Sequence, residues 1–376
     1  MAEPSKNTHV STGAGHVAPD DKAAHLPVGW IIGSVLLSAA VFAAVTHFTF
    51  DWEALRRFPW HVRPWLLAPA LGSVVLRVFF GGYRLRYFST GRLSLRACIR
   101  SQIAWDFFAY ITPSTIGGGP LVSAFISRDQ HLPLGDTTSI VLFSMLVDQI
   151  WFALTIPIVL FLTPFVEIIP ESAGSVASWS FALFLIGFLG WVLFFGYITL
   201  ISPEALEKLT DRIFRIPGLR RYRERVRVVS SDFRQRADIL RTQPPSFYLR
   251  GLVITALPWL MRYVLILFVI WTVYPSANGL LVFLRAVALN LSVLALPTPG
   301  GAGGAEGLYV LFFGPLLPAA LVAPTLLVWR LLSYYLFIVA GLIIMANRTR
   351  KSIQHKRQLK IGMAPSSAQE PQHAHE

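Results

Sequence analysis

Long apolar runs, separated by short polar and basic segments, dominate the pattern of this chain. Six runs come close to the roughly 20 residues that a helix needs to cross a bilayer. We place them at 28–48, 65–82, 137–163, 178–201, 248–273 and 319–346. Two further apolar regions, 101–127 and 280–317, are interrupted by proline and glycine. The pattern predicts an all-α integral membrane protein with about eight membrane-embedded elements.

The two interruptions are similar to each other. One reads ITPSTIGGGP from Ile111 and the other LPTPGGAGGAE from Leu296. Arg77 lies 36 residues before Pro113, and Arg262 lies 35 residues before Pro297. We interpret them as broken or re-entrant hairpins of an internal repeat, which in membranes surround a translocation site because their unpaired backbone groups need a cavity. The alternative is a pair of ordinary short helices that turn at proline and glycine, with no pathway between them.

The distribution of basic residues predicts the orientation of the chain. A cytoplasmic N-terminus places 26 of the 33 Lys and Arg residues on the cytoplasmic side, which the positive-inside rule favours. Counting crossings then puts both termini in the cytoplasm and makes the two halves, 28–201 and 248–346, inverted relative to each other. Each half consists of two helices, a broken hairpin and one long helix.

The flanking and connecting segments are polar and basic. We predict a disordered N-terminal tail at 1–27, a single transmembrane domain at 28–346 and a basic cytoplasmic tail at 347–376. The connector at 202–247 has apolar residues at helical spacing beside many arginines. This predicts an amphipathic helix on an anionic leaflet, although a positive-inside loop with no recognition role explains the charge equally well.

Composition narrows the classes of function. The chain has 54% hydrophobic residues, a mean hydropathy of +0.55, a net charge of +13 and one cysteine, Cys98. The spacing of its histidines and its lone cysteine predicts no metal site, and we expect no cofactor. The positive charge follows the membrane topology, so we expect no nucleic acid as a partner. No side-chain constellation indicates catalysis, and we expect no enzyme activity.

Charged residues inside apolar spans are the candidate functional residues. Each costs roughly 2.5 to 3.5 kcal/mol on insertion scales, so each needs a partner or a pathway. We predict that three arginines bind a phosphate or carboxylate with their forked guanidinium groups: Arg77, Arg262 and Arg330. Three acids would serve gating or charge coupling: Asp106, Asp148 and Glu306. The alternative is structural pairing, with Asp148 bound to Arg330 or Arg262 and Glu306 bound to Arg77.

The glycines of both interruptions are further candidates for substrate binding. Each run opens a helix whose N-terminal N–H groups suit an anion, and glycine lets the backbone approach closely. The residues are Gly117, Gly118, Gly119, Gly301, Gly303 and Gly304. Tight helix packing by small residues is the alternative explanation.

At both hairpins and the helices after them, the chain resembles the flippase-like family built on the lysylphosphatidylglycerol synthase transmembrane region. The resemblance is carried by Ile111–Pro120, Leu146-Val-Asp148, Leu296–Glu306 and Trp329–Tyr335, and it extends from the first span to about Ile344. It implies a region that translocates lipids between leaflets. Some members of that family also carry an aminoacyl- or glycosyl-transferring domain.

We therefore expect a flippase-like protein of the bacterial inner membrane that moves a polar-headed, anionic lipid, with membrane lipids as its partners. Two alternatives remain open. One is the membrane subunit of a lipid-modifying synthase whose soluble enzyme is a separate chain. The other is a secondary transporter of small solutes.

Overall fold

The computed structural model describes residues 62–112, 118–171, 174–200, 242–294, 296 and 298–362, with six single positions between 32 and 56. The N-terminal tail, most of the span at 28–48, almost all of the connector and the end of the C-terminal tail therefore lie outside the described residues, as do Pro113, Ser114 and Gly117.

The described part of the chain is helical and contains no strand. Its α-helices, in chain order, are α1 (Leu67–Phe88), α2 (Leu95–Ile111), α3 (Gly118–Gln130), α4 (Leu134–Leu162), α5 (Gly174–Leu200), α6 (Pro245–Val273), α7 (Gly279–Val293), α8 (Gly304–Phe313), α9 (Ala319–Arg330) and α10 (Leu336–Gly362). One π-helical turn, Leu331–Tyr335, joins α9 to α10. The prediction of an all-α membrane protein is confirmed.

Within the described residues, four segments are long and apolar enough to cross a membrane: Pro64–Phe88, Leu134–Leu162, Pro245–Val273 and Ala319–Arg348. They match four of the predicted spans. The predicted span at 178–201 corresponds to α5, whose apolar part is Ser178–Phe194. The C-terminal helix continues beyond the predicted membrane segment, as far as Gly362.

The two interrupted regions form pairs of short helices. Helix α2 begins at the cap Ser94, whose hydroxyl accepts a hydrogen bond from the Ala97 N–H at 3.2 Å, and it packs against α3. Helix α7 begins at the cap Asn278 and packs against α8. Between α7 and α8 the chain makes a 3-10 turn at Pro299–Gly301. In each half a long helix thus precedes a broken pair and another long helix follows it. The inverted orientation of the halves remains a prediction.

Helices α1 and α6, which come from different halves, share the most extensive helix–helix contact of the described structure. Two apolar cores lie on either side of the bundle centre. One includes Ala70, Val74 and Phe152, and the other includes Leu85 and Val147. Along both α1 and α4, charged residues occupy the boundary between these cores. The charged residues at this boundary are therefore the candidates for a functional site.

Candidate functional site

A cavity of about 120 Å³ lies where α1, α2, α4 and α6 meet. Its charged residues are Arg77, Arg84, Asp106, Asp148 and Arg262. Arg77 is at the middle of α1 and Asp148 is the central residue of α4. At 1.5 Å of rise per residue, Arg77 is about 15 Å from each end of its helix. The cavity therefore lies near the middle of the membrane-spanning segments.

Asp106 joins the two halves of the chain. Its Oδ1 accepts hydrogen bonds from Arg77 Nη2 at 2.6 Å and from Arg262 Nη2 at 3.1 Å. Its Oδ2 accepts a hydrogen bond from Gln102 Nε2 at 3.2 Å. The Arg77 and Asp106 side chains are each 3% exposed, whereas that of Arg262 is 28% exposed. Arg262 is thus the more accessible of the two cations that share this carboxylate.

Asp148 holds a second cross-half contact. Its Oδ1 accepts hydrogen bonds from Arg84 Nη1 and, at 2.8 Å, from Trp259 Nε1. Arg84 belongs to α1 and Trp259 to α6, three residues before Arg262. The Arg262 guanidinium lies over the Trp259 ring, 4.6 Å from its centroid. Trp259 therefore positions both Asp148 and Arg262.

Among the described residues, the cavity has one uncompensated positive charge, because three guanidinium groups face two carboxylates. Aromatic faces offset part of that charge. Arg77 lies over Phe337 at 4.3 Å and Arg84 over Trp105 at 5.4 Å, each within the range of a cation–π interaction. Charge of one sign in a cleft with low-dielectric walls attracts a counter-ion. The electrostatics of the site thus favour an anion.

Four buried polar atoms of lining residues make no hydrogen bond in the structure. Two are donors, Arg77 Nε and Arg84 Nε, and two are acceptors, Gln102 Oε1 and Gln149 Oε1. A buried polar group without a partner costs about 1 to 3 kcal/mol, and such groups are rare in folded proteins. These four atoms belong to residues around the cavity, but each is itself buried.

Tyr110 connects the cavity to the second hairpin. Its hydroxyl accepts a hydrogen bond from Arg77 Nη2 at 3.2 Å, and its ring lies 5.2 Å from the Tyr334 ring, centroid to centroid. Gly300 has a φ of 58°, and a Cβ there would lie 2.5 Å from Tyr334 Cε2 and 3.1 Å from Tyr110 Cδ1. Glycine at 300 therefore lets the hairpin backbone reach this pair of rings.

Glu306 and Arg330 pair with each other outside the cavity. Arg330 Nε donates to Glu306 Oε1 at 2.8 Å and Nη2 donates to Oε2 at 2.7 Å. Glu306 Oε2 also accepts a hydrogen bond from the Gly303 N–H at 2.8 Å, so this carboxylate caps the start of α8. Their side chains are 0% and 5% exposed, and neither lines the cavity. Anion binding by Arg330 and gating by Glu306 stay predictions.

The structure corrects the predicted ion pairs. Glu306 pairs with Arg330 and not with Arg77, and Asp148 pairs with Arg84 and not with Arg330 or Arg262. These assignments were wrong because sequence separation did not reveal which helices are neighbours. Pairing across the halves does occur, between Arg262 and Asp106.

Several of the described glycines of the two interruptions lie so close to neighbouring atoms that a side chain would not fit there. A Cβ at Gly118 would lie 2.9 Å from Ala109 N, one at Gly119 would lie 2.9 Å from Met145 Sδ, and one at Gly304 would lie 2.6 Å from Leu296 Cδ1. Gly301 and Gly303 have φ values of 68° and 84°. These contacts support the packing explanation. The Gly303 N–H already binds an anion, the Glu306 carboxylate, and anion binding by the other glycines stays a prediction.

Four residues that line the cavity were not selected from the sequence: Arg84, Gln102, Gln149 and Trp259. Arg84 is 5% exposed and lies seven residues after Arg77 in α1. Seven residues are nearly two helical turns, so both arginines share one face. That spacing was the signal for Arg84. The glutamines and the tryptophan carry no charge and give no comparable signal.

Comparisons with known proteins cover nearly the whole bundle. A family model described as the lysylphosphatidylglycerol synthase TM region matches residues 30–341. A curated protein from Archaeoglobus fulgidus, described as a UPF0104 membrane protein, is 23% identical over 345 residues. The aligned region is 86% of this chain and 99% of that protein. The cavity residues all fall within the matched region.

Proposed function

Because this chain belongs to the lysylphosphatidylglycerol synthase transmembrane family, we propose that it moves a polar-headed, anionic lipid between the leaflets of the membrane. The observation that carries the proposal is the uncompensated positive charge of the described cavity residues near the middle of the membrane-spanning segments. A phosphate that enters this cavity replaces water with charge-assisted hydrogen bonds from arginine. The lipid tails stay in the surrounding hydrocarbon.

In this proposal, Arg262 binds the phosphate of the head group as the lipid passes through the cavity. It shares Asp106 with the more buried Arg77, so it can exchange the carboxylate for a phosphate oxygen while Asp106 keeps one partner. The exchange also loosens a contact between α1, α2 and α6. Lipid binding and relative movement of the halves are therefore coupled.

We propose that the protein lies in a bacterial inner (plasma) membrane, with both termini in the cytoplasm. The distribution of basic residues supports this orientation. The inverted relation of the two halves belongs to the same proposal, because it provides inward- and outward-open states of similar energy.

Transport of a small anionic solute is the second candidate. The positive charge of the cavity favours it, because that charge would attract a soluble phosphate as well as a lipid phosphate. The two candidates differ in whether the ligand keeps acyl chains in the bilayer.

The test is lipid translocation in phosphatidylcholine proteoliposomes that contain a fluorescent phosphatidylglycerol. Arg262→Gln should slow translocation about tenfold, the effect of losing one charge-assisted hydrogen bond. Arg262→Lys should retain part of the rate because it keeps the charge. Arg100→Gln is the matched control, since Arg100 lies in an exposed ion pair with Asp129.

Equal rates in the wild type and Arg262→Gln, with both proteins folded, would contradict the proposal. Translocation no faster than in protein-free vesicles would also contradict it. Uptake of soluble phosphate or a phosphate monoester without lipid movement would favour the second candidate.

A further inference from the structure

Among the described residues, the charges in the interior of the bundle cancel in pairs, with one exception. Three arginines each have an acid of their own: Arg77 with Asp106, Arg84 with Asp148, and Arg330 with Glu306. Arg285, near the start of α7, lies 3.8 Å from a carboxylate oxygen of Glu167. The predicted span at 28–48 contains no Asp, Glu, Lys or Arg. Arg262 is the exception, because it shares its acid with another arginine.

We infer that the membrane potential drives transport by acting on this one positive charge while the cavity is empty. This inference rests on the proposed function, since it names the energy source of the same site. A lipid phosphodiester carries one negative charge, so a bound lipid neutralises the excess charge of Arg262. The empty site therefore changes sides with a charge of +1, whereas the loaded site changes sides with none.

The depth of Arg262 places its charge where a voltage can act on it. Arg262 is about 16 Å from the nearer end of α6 at 1.5 Å of rise per residue. In a transporter with inward- and outward-open states, the voltage falls across the side that is closed. A site that changes sides thus moves its charge through the voltage. For one charge, 100 mV shifts the equilibrium between the two states about 50-fold.

The sign of the charge gives transport a direction. A membrane potential that is negative inside favours the inward-open state of the empty, positive site. There the site binds an anion from the cytoplasmic leaflet, and the neutral loaded site then opens outward without opposing the voltage. The cycle moves the anion from the inner to the outer leaflet, and it needs no nucleotide and no co-transported ion.

Two kinds of lipid movement separate the empty site from the loaded one. Both are measured with the full-length protein and a fluorescent phosphatidylglycerol in phosphatidylcholine proteoliposomes, where valinomycin and a K⁺ gradient set the voltage. In net movement the labelled lipid starts in the inner leaflet alone, so each cycle needs the return of an empty site. In exchange both leaflets contain excess unlabelled phosphatidylglycerol, so each return is loaded.

Net movement should depend on voltage, and exchange should not. At 100 mV, negative inside, net movement should become up to about sevenfold faster, because a barrier halfway through the voltage experiences the square root of the 50-fold effect. The opposite voltage should slow it. The exchange rate should be the same at zero voltage and at both signs. The orientation of the inserted protein does not matter, since the empty site always returns towards the labelled leaflet.

Arg262→Gln connects the voltage dependence to Arg262. In this variant the empty cavity is neutral and the loaded cavity is negative, so exchange should become about fourfold slower at either sign of the voltage. Arg262→Lys keeps the charge, and exchange in this variant should stay independent of voltage. Arg100→Gln removes a positive charge from the exposed pair with Asp129 and should also keep the wild-type behaviour. Rates with and without voltage are compared within each variant, so a slower variant still gives a result.

The outcomes separate this inference from the proposed function. Exchange as dependent on voltage as net movement, or net movement independent of voltage, would overturn the inference and leave anionic-lipid transport standing. Voltage-independent exchange by Arg262→Gln would also overturn it, because Arg262 would not be the charge that moves. Translocation no faster than in protein-free vesicles would overturn both.

Discussion

Arg77 and Arg262, from opposite halves of the chain, donate hydrogen bonds to the same carboxylate oxygen, Oδ1 of Asp106, at 2.6 and 3.1 Å. One acid therefore neutralises only part of the charge that two arginines bring to the centre of the bundle. This shared oxygen links the stability of the bundle to the charge of its cavity.

The first prediction concerns the stability that Asp106 provides. Asp106→Asn should destabilise the folded protein by about 3 to 5 kcal/mol, because it leaves the buried Arg77 guanidinium and the partly exposed Arg262 guanidinium without their acid. Thermal unfolding in detergent would measure the effect as a lower Tm. Asp129→Asn is the control, since the Arg100 side chain of that ion pair is 49% exposed and such pairs contribute about 0 to 1 kcal/mol. Similar Tm values for the two variants would show that the buried charges are compensated elsewhere.

The second prediction concerns Gly300 at the break of the second hairpin. Gly300→Ala should destabilise the protein by about 2 to 4 kcal/mol, since alanine at positive φ costs about 1 to 2 kcal/mol and crowding against Tyr334 adds to that. Gly307→Ala is the matched control. Gly307 lies within α8, and a Cβ there would meet no atom within 4 Å, so alanine should be neutral or stabilising. Chemical denaturation of both variants would check this, and an unchanged midpoint for Gly300→Ala would contradict the close contact between Gly300 and Tyr334.

The third prediction concerns the orientation of the two hairpins. In a Cys98→Ser background, Arg96→Cys before the first hairpin should react with a membrane-impermeant maleimide only from the cytoplasmic side. Ser276→Cys before the second hairpin should react only from the outside. Both positions are exposed. Cys98 is the one cysteine of the sequence, so the Cys98→Ser background contains no other thiol that could react. Labelling of both from one side would disprove the inverted arrangement.

The sequence was sufficient to predict the long helices and the two breaks, because these depend on local properties: apolar length, proline and glycine. It was also sufficient to select Arg77, Asp106, Asp148 and Arg262, since charge in an apolar span stands out. The partners could not be predicted. Arg84 follows the predicted span at 65–82 and was not selected, and only the packing of α1 against α4 shows that it meets Asp148.

Glu306 and Arg330 also show what the sequence could not reveal about the partners of charged residues. Both were selected for the substrate pathway, and the structure brings them together at the start of α8, away from the cavity. Charge within a span identified residues that need a partner. It did not distinguish a partner supplied by the protein from one supplied by a ligand, because that depends on where the helices cross.

The π-helical turn at Leu331–Tyr335 has a consequence for the whole bundle. In a regular helix Arg330 and Phe337, seven residues apart, would point to nearly the same side. The wider π-helical turn changes the relative direction of these two side chains. Arg330 donates hydrogen bonds to Glu306 in the second hairpin, while the Phe337 ring lies against the Arg77 guanidinium in the first half. One continuous helical segment, Ala319–Arg348, thereby contacts both charge clusters.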